Sequence, residues 1–301
     1  MLSVVFVFLF INCIHGHANG YWKDYKFIEA TDSYYKFHNV EKTWTEAQKQ
    51  CSMEGAALFH PQDEVEANAV LQYWNETHPT CGNIFLGANS ILLKGVFETI
   101  DGVPLDELYN KWNDGEPNDT DGIENCVVMA QDDGLLLDYS CNHTFAFICK
   151  KQKADITWNT KCNLPDSQYD FHDYAAGIGK CYKLHTKVET WNDAHAVCNA
   201  EQSYLAVIDS QAEKEFISNY IASKTQNIQT SPAIYLGFHN LFENLGWITL
   251  KGTPIEGTVP GSDDSYSLRV CGSMTYNGDL NAARCSDKNM FICEHDTLKK
   301  K

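Results

Sequence analysis

Basic residues are scarce in this sequence: 23 Lys and Arg stand against 40 Asp and Glu, a net charge of −17. A polyanion of this kind repels nucleic acid and anionic lipid surfaces in general, so no nucleic-acid partner is expected. Long apolar runs are missing after residue 14, and a membrane span needs about 20 such residues. G-x-S-x-G, H-E-x-x-H and phosphate-loop patterns are all absent. Ser, His and Asp are present, but their separations alone identify no triad. Nor is there a CxxC pair or a His–Cys cluster at structural-zinc spacing. These absences leave a non-enzymatic binding protein as the expectation.

The amino terminus does carry an apolar run. Residues 2–10 are apolar almost throughout, and residues 11–14 extend the run around Asn12 and Cys13 before the small residues Gly16, Ala18 and Gly20. That order predicts a signal peptide over 1–20, cut after Gly16 or Gly20, and hence a secreted protein. Eleven cysteines follow it, which in an exported chain read as a disulfide framework with one thiol left over.

Laid on itself, the chain contains a second copy about 147 residues downstream, a period of domain size. Tyr35, Lys36 and His38 match Tyr182, Lys183 and His185; Thr43, Trp44, Ala47 and Cys51 match Thr190, Trp191, Ala194 and Cys198. Leu58 and Glu66 match Leu205 and Glu213. The offset slips to 150 where Leu86–Gly87 meets Leu236–Gly237 and Phe97 meets Trp247. It falls to 145 at Cys126 and Cys271, and to 144 for Cys141 with Cys285 and Phe147-Ile148-Cys149 with Phe291-Ile292-Cys293. The expected division is domain 1 over 21–150, a polar linker over 151–161, domain 2 over 162–296 and a basic tail over 297–301.

Within each copy the pattern is α+β. Residues 33–38 alternate as a strand, and Trp44, Ala47 and Cys51 share one helical face behind a Thr43 cap. A second helix is expected over 63–74 with Val65, Ala69 and Val70 inward, and its counterpart over 211–221. The second half of each copy is rich in Gly, Asp, Asn and Pro, with short apolar strands at 124–129 and 144–149. Trp44, Trp191, Trp247 and Phe97 are expected in cores, with Trp112 anchoring a loop. The histidines are scattered and suggest no metal cluster.

These residues resemble the C-type lectin superfamily, most closely the two-domain soluble lectins of insect blood (immulectin-like). The marks are an outer and an inner cysteine pair in each copy, a Trp in the first helix, a closing Phe-Ile-Cys strand, and Trp112-Asn113-Asp114-Gly115-Glu116-Pro117-Asn118 followed by Glu124-Asn125-Cys126. The resemblance implies two tandem C-type-lectin-like domains, each with two helices, short antiparallel sheets and long loops. It implies bridges Cys51–Cys149, Cys126–Cys141, Cys198–Cys293 and Cys271–Cys285, an amino-terminal bridge Cys162–Cys181, and Cys81 left unpaired. An odd thiol in an oxidising compartment pairs with another chain, as in a disulfide-linked homodimer, or is capped by a small thiol; the alternative is a buried free cysteine. The resemblance also implies a cis bond at Pro117 and a calcium site in domain 1 built from Glu116, Asn118, Glu124 and Asp138. Carboxylate and amide oxygens on flexible loops suit this hard cation, whose open face can take vicinal sugar hydroxyls, mannose-like ones for a Glu-Pro-Asn motif.

The sequence also departs from the family. Leu137 stands where the family has the Asn of an Asn-Asp pair, and it supplies no oxygen. Asn118-Asp119-Thr120 is an N-glycosylation sequon on a proposed ligand; Asn75 and Asn142 head the other two. Domain 2 lacks the Glu-Pro-Asn motif, has Arg269 in place of Glu124, and pairs Asn281 with Ala282, so its calcium site is expected to be lost. The implied function is a secreted pattern-recognition lectin for microbial or mannose-like glycans, with blood-cell surfaces or serine-protease-cascade proteins as further partners. The alternative is a calcium-independent protein-interaction scaffold on the same fold.

Overall fold

The computed structural model describes residues 24–175, 178–225, 233–241, 246–255, 259 and 270–297. The expected leader at 1–20, Arg269, the domain 2 loop at 261–266 and the tail beyond Thr297 lie outside the described residues.

The first unit runs β1 (Lys26–Ile28), β2 (Ser33–Lys42), α1 (Trp44–Met53), β3 (Ala57–Leu58), α2 (Glu64–Thr77), β4 (Ile84–Asn89), β5 (Glu98–Thr99), β6 (Glu124–Met129), β7 (Leu136–Ser140) and β8 (Phe145–Gln152). The second repeats it as β9 (Asp170–Ala175), β10 (Ile178–Glu189), α3 (Trp191–Ala200), β11 (Tyr204–Leu205), α4 (Gln211–Lys224), β12 (Ile234–His239), β13 (Ile248–Thr249), β14 (Val270–Met274), β15 (Leu280–Arg284) and β16 (Asn289–Asp296). One sheet has the order β1-β2-β8-β4-β6-β7 and the other β9-β10-β16-β12-β14-β15, so the sequence repeat is also a repeat of topology. In each sheet one pair of central strands is parallel, β4 with β8 and β12 with β16.

Local chemistry explains the elements. Thr43 and Glu46 form a reciprocal capping box that starts α1, and Trp44, Ala47 and Cys51 form its buried face. Asp63 caps α2 by accepting the Glu66 backbone N–H. The inward face of α2 differs from the expected one. Val65 is 60% exposed and Ala69 only partly buried, while Glu66, Ala67, Val70 and Trp74 point inward. Glu66 can be buried because the Tyr35 hydroxyl donates to it and Lys150 lies 2.5 Å away. Once Glu66, Ala67 and Trp74 define the inner face, Val65 falls outside it.

Strand β8 is covered on both faces, with Ala146 and Ile148 in one cluster beside Trp74 and Phe147 and Cys149 in another beside Trp44. Trp44 and Trp191 each donate the indole N–H to a strand carbonyl, Leu86 at 2.8 Å and Leu236 at 2.9 Å. Behind those strands only glycine fits. A Cβ at Gly87 would lie 2.2 Å from the Leu58 carbonyl oxygen, and one at Gly237 would lie 2.1 Å from that of Leu205. Five disulfides close the framework: Cys51–Cys149, Cys126–Cys141, Cys162–Cys181, Cys198–Cys293 and Cys271–Cys285. Cys81 is free and half-buried.

The two units solve one electrostatic problem differently. In the first, Lys150 on β8 pairs with buried Glu66, and Ser33 opens β2. In the second, the position of Lys150 holds Glu294 and that of Ser33 holds Lys180, whose ammonium lies 2.6 Å from Glu213 and 2.8 Å from Glu294. Lys251 and the Tyr204 hydroxyl, at 3.5 and 2.7 Å, also reach the fully buried Glu294.

Candidate functional site

The Glu116-Pro117-Asn118 segment lies in the long loop between β5 and β6, with a cis bond between Glu116 and Pro117. The start of this loop is anchored by Trp112, which packs against Phe97 with ring centroids 5.1 Å apart. The Asn113 amide donates to the Leu136 carbonyl at 2.9 Å, and the Glu116 amide to the Asn113 carbonyl at 3.0 Å. Asp138, only 2% exposed, then clamps the turn: its two carboxylate oxygens accept the backbone N–H groups of Asn118 and Asp119, each at 2.9 Å. The Cys126–Cys141 bridge ties β6 to the end of β7, which carry Glu124 and Asp138.

Around this clamp the side chains interlock. The Asn118 amide donates to Glu116 Oε1 at 2.7 Å, the Thr120 hydroxyl donates to Asn118 Oδ1, and the Thr120 amide donates to Glu124 Oε2 at 2.9 Å. Lys94 sits at the rim, 2.9 Å from Asp119 Oδ2. Glu116 Oε2 is buried and accepts no hydrogen bond. Burial, the adjoining Asp138 carboxylate and the charge of Glu124 together push the Glu116 carboxyl above the usual range. Asp138 and Glu124 thus act on Glu116, although the three carboxylates do not all lie within 4.8 Å of one another. That donor set fits a hard divalent cation.

Leu137 offers none. It packs against the cluster of Trp44, Phe85 and Val128, while its neighbours Leu136 and Asp138 are buried on the alternate positions of β7. The three sequon asparagines, Asn75, Asn118 and Asn142, are all exposed. Asn75 lies in the last turn of α2 and Asn142 in the turn between β7 and β8. Only Asn118 has its amide committed to a proposed ligand.

With this geometry defined, comparison with known proteins gives the family. The model of the lectin C-type domain matches residues 40–151 and 187–295. The chain belongs to the C-type lectin family. Similar proteins include the hemolymph lipopolysaccharide-binding protein of Periplaneta americana, 31% identical over 122 residues that cover 38% of this chain and 48% of that protein. C-type mannose receptor 2 of Mus musculus is 27% identical over 214 residues, 66% of this chain and 13% of the receptor. Lymphocyte antigen 75 of Homo sapiens is 24% identical over 297 residues, 92% of this chain and 16% of that protein. The chain thus spans less than half the length of each of these relatives, and together they do not single out the two-domain insect lectins. Among solved structures, the C-type lectin CEL-I from Cucumaria echinata matches 44% of this chain and 97% of its own, with 24% identity and a TM-score of 0.39.

The two domains are tandem copies, and the metal-binding residues are degenerate in both. In domain 2, Asn281 and Ala282 occupy β15, where the Asn281 carbonyl accepts the Ser273 hydroxyl at 3.1 Å and Ala282 supplies no oxygen.

Each domain also holds an atypical cluster of metal-ligand types that the sequence did not reveal: His38, Glu54 and Cys149, and His185, Glu201 and Cys293. The histidines are thus less scattered than expected. Both sulfurs are tied in disulfides and offer no thiolate. The two carboxylates are already matched by cations and donors. Glu54 takes the Tyr25 hydroxyl at 2.7 Å, Lys36 at 3.3 Å and His38 at 3.3 Å. Glu201 takes the Tyr169 hydroxyl at 2.8 Å, Lys183 at 2.5 Å and His185 at 3.0 Å. Burial would raise the Glu54 carboxyl, but hydrogen bonding and charge from His38, with Tyr25 and Gln50, outweigh it and bring it down to about 2. Such a clasp braces the outer disulfide and repels an added cation. The signal was in the repeat itself, where Lys36 and His38 match Lys183 and His185 and a Glu follows each first-helix Cys by three.

Proposed function

We propose that this C-type lectin is a secreted recognition protein that binds microbial or mannose-like glycans through a weakened calcium-dependent site in domain 1. The observation that carries the reading is the turn of Glu116, cis Pro117 and Asn118 clamped on Asp138, with Glu116 Oε2 buried and unpartnered. Calcium bound by Glu116, Asn118, Glu124 and Asp138 would supply open coordination positions for two sugar hydroxyls. The chain's own part is to hold those oxygens in register by the backbone bonds to Asp138 and to present Glu116, Asn118 and Glu124 as acceptors or donors for the same hydroxyls. The five disulfides support an oxidising, extracellular setting. The described residues contain no helix long and apolar enough to cross a membrane. The relative named for lipopolysaccharide binding supports microbial surfaces as targets. Blood-cell surfaces or serine-protease-cascade proteins remain proposed as further partners, and Cys81 as the link of a homodimer.

A second reading, the calcium-independent scaffold, is favoured by one specific observation. Both Asp138 oxygens already accept backbone N–H groups, and Leu137 adds no ligand. A glycan on Asn118 would favour it too, by blocking the site. The test is binding of the full chain to immobilised mannose with calcium or chelator, alongside Glu124→Gln. Calcium-dependent, mannose-competed binding that falls at least about tenfold in the variant supports the lectin. Binding to a blood protein that ignores both chelator and substitution selects the scaffold.

A further inference from the structure

The two domains use one equivalent space in different ways. In domain 2, Tyr204 on β11 pairs with Glu294 on β16, and the turn after β13 carries Lys251 over the Tyr204 ring, its ammonium 4.9 Å from the ring centroid. That ammonium lies 3.0 Å from Asp209, 3.5 Å from Glu294 and 3.8 Å from Asp296. Domain 1 repeats the backbone. Ala57 on β3 pairs with Lys150 on β8. The Thr99 amide donates to the Val103 carbonyl and the Gly102 amide to the Thr99 carbonyl, both at 2.9 Å, matching Thr249 to Thr253 and Gly252 to Thr249. The side chains differ. Ala57 stands for Tyr204 and Asp101 for Lys251, while Gln62, Lys150 and Gln152 stand for the three acids. All five of these domain 1 residues line a cavity of about 400 Å³. Domain 1 thus lacks the phenol ring and the ammonium stem and keeps the space.

The lining of that cavity selects its occupant. His60, one of the lining residues, is 8% exposed. Its Nε2 meets the Tyr109 carbonyl at 3.1 Å; a carbonyl only accepts, so Nε2 carries the proton and Nδ1 the lone pair. Nδ1 is buried and has no donor among the described residues. Burial lowers the ring to about 4, outweighing the Tyr109 bond, and the Lys150 charge adds to the fall, so the imidazole is neutral. Domain 2 has Val207 here and no such acceptor. The Lys150 ammonium meets Glu66 at 2.5 Å, and an ammonium has three donors. An unmet acceptor and a spare donor in one cavity select a hydroxyl. A carboxylate cannot donate to Nδ1, and an ammonium cannot accept from Lys150. The lining charges, Lys150 and Lys151 against Asp101 and Asp155, cancel and favour a neutral occupant. Leu58, Val103 and Leu108 give one apolar side, and the room of a phenol ring admits another six-membered ring. We propose that this cavity is a second, calcium-independent site that takes a neutral pyranose, with hydroxyls donating to His60 Nδ1 and accepting from Lys150. It uses none of Glu116, Asn118, Glu124 and Asp138 and stands apart from the calcium reading.

The experiment titrates the full chain, in chelator throughout, with methyl mannoside, methyl glucoside, glucuronate and glucosamine. The readout is the imidazole nitrogen resonance of His60 Nδ1, assigned by its loss in His60→Val. A neutral glycoside moves that resonance saturably towards the hydrogen-bonded position, and binds at least about tenfold more tightly than glucuronate or glucosamine. Ala57→Tyr places the domain 2 ring in the cavity, and His60→Val places the domain 2 residue at the acceptor; each weakens the glycoside at least about tenfold. Glu124→Gln leaves this binding unchanged. Ala57 is exposed, and an amide spectrum unchanged away from the cavity reports that each variant folds. Binding in chelator that neither variant weakens places the sugar elsewhere and overturns the inference. The absence of any neutral-glycoside binding overturns it as well. Tighter binding of glucuronate or glucosamine makes the cavity an ion site and also overturns it. None of these results touches the calcium site, which is read only in calcium.

Discussion

Glu116→Gln is expected to do two opposite things. In wild type, Glu116 Oε1 accepts the Asn118 amide at 2.7 Å, and Oε2 is buried without a donor beside the Asp138 carboxylate. Glutamine keeps the acceptor, deletes one negative charge from a cluster of three, and places an N–H₂ where the unpartnered oxygen was. A hydrogen bond to a charged group contributes about 1.5–3 kcal/mol, and the half-exposed rim reduces that. A gain of about 1–2 kcal/mol in chelator follows, a rise of roughly 3–6 °C in the midpoint of domain 1. In calcium the order reverses. Wild type gains about 2.7 kcal/mol at a hundredfold excess over its dissociation constant, while the variant, short of one charged ligand, gains little. Thermal unfolding of the full chain with and without calcium therefore gives curves that cross. A variant less stable than wild type in chelator would refute the account of Glu116 as an uncompensated charge. Equal calcium stabilisation of both proteins would remove Glu116 from the ligand set.

Acid should weaken the fold through the clasps. Glu54 and Glu201 are both brought from about 4.5 to about 2 in the folded chain. A folded value below the unfolded one stabilises above about pH 4.5, and that contribution is lost as pH falls from there towards 2. For Glu54, 7% exposed, this amounts to about 3 kcal/mol. Urea midpoints should drop steeply between pH 5 and about 3, and Glu54→Gln should flatten the drop; an unchanged slope would rule the clasp out as its source. For Cys81, non-reducing electrophoresis of protein secreted from eukaryotic cells should show reduction-sensitive dimers that vanish in Cys81→Ser. Monomeric wild type would exclude the interchain link, and a dimer surviving in the variant would place it elsewhere.

What the sequence made legible was whatever is local or repeated. Thr43, Trp44, Ala47 and Cys51 announce α1 within nine residues, and the matched Leu-Gly pairs mark strands where a side chain would strike a carbonyl. The Glu-Pro-Asn motif was readable because its residues are contiguous. Asp138 was readable as a ligand candidate but not as a clamp, since its bonds to Asn118 and Asp119 cross 20 and 19 residues. Val65 was placed inward on apolarity alone. Glu66 took that face because Tyr35 and Lys150, distant in sequence, supply its hydrogen bond and counter-charge. Partners assembled by sheet topology leave no periodic trace on the element they bury.

The lysine that neutralises the buried glutamate arrives on the closing strand β8 in one domain and on the opening strand β10 in the other. Two tandem copies with the same strand order invite a folding error in which each copy closes with the other's last strand. Here that exchange would leave Glu66 facing Glu294 with Ser33 in the lysine's place, and would set Lys150 beside Lys180 over Glu213. An unpaired buried charge costs about 3–5 kcal/mol; that falls on the first domain, where Glu66 and Glu294 would share no lysine, while in the second Asp209 and Glu213 would still face the two lysines. The transposed lysine therefore makes an exchange of closing strands between the two domains electrostatically costly.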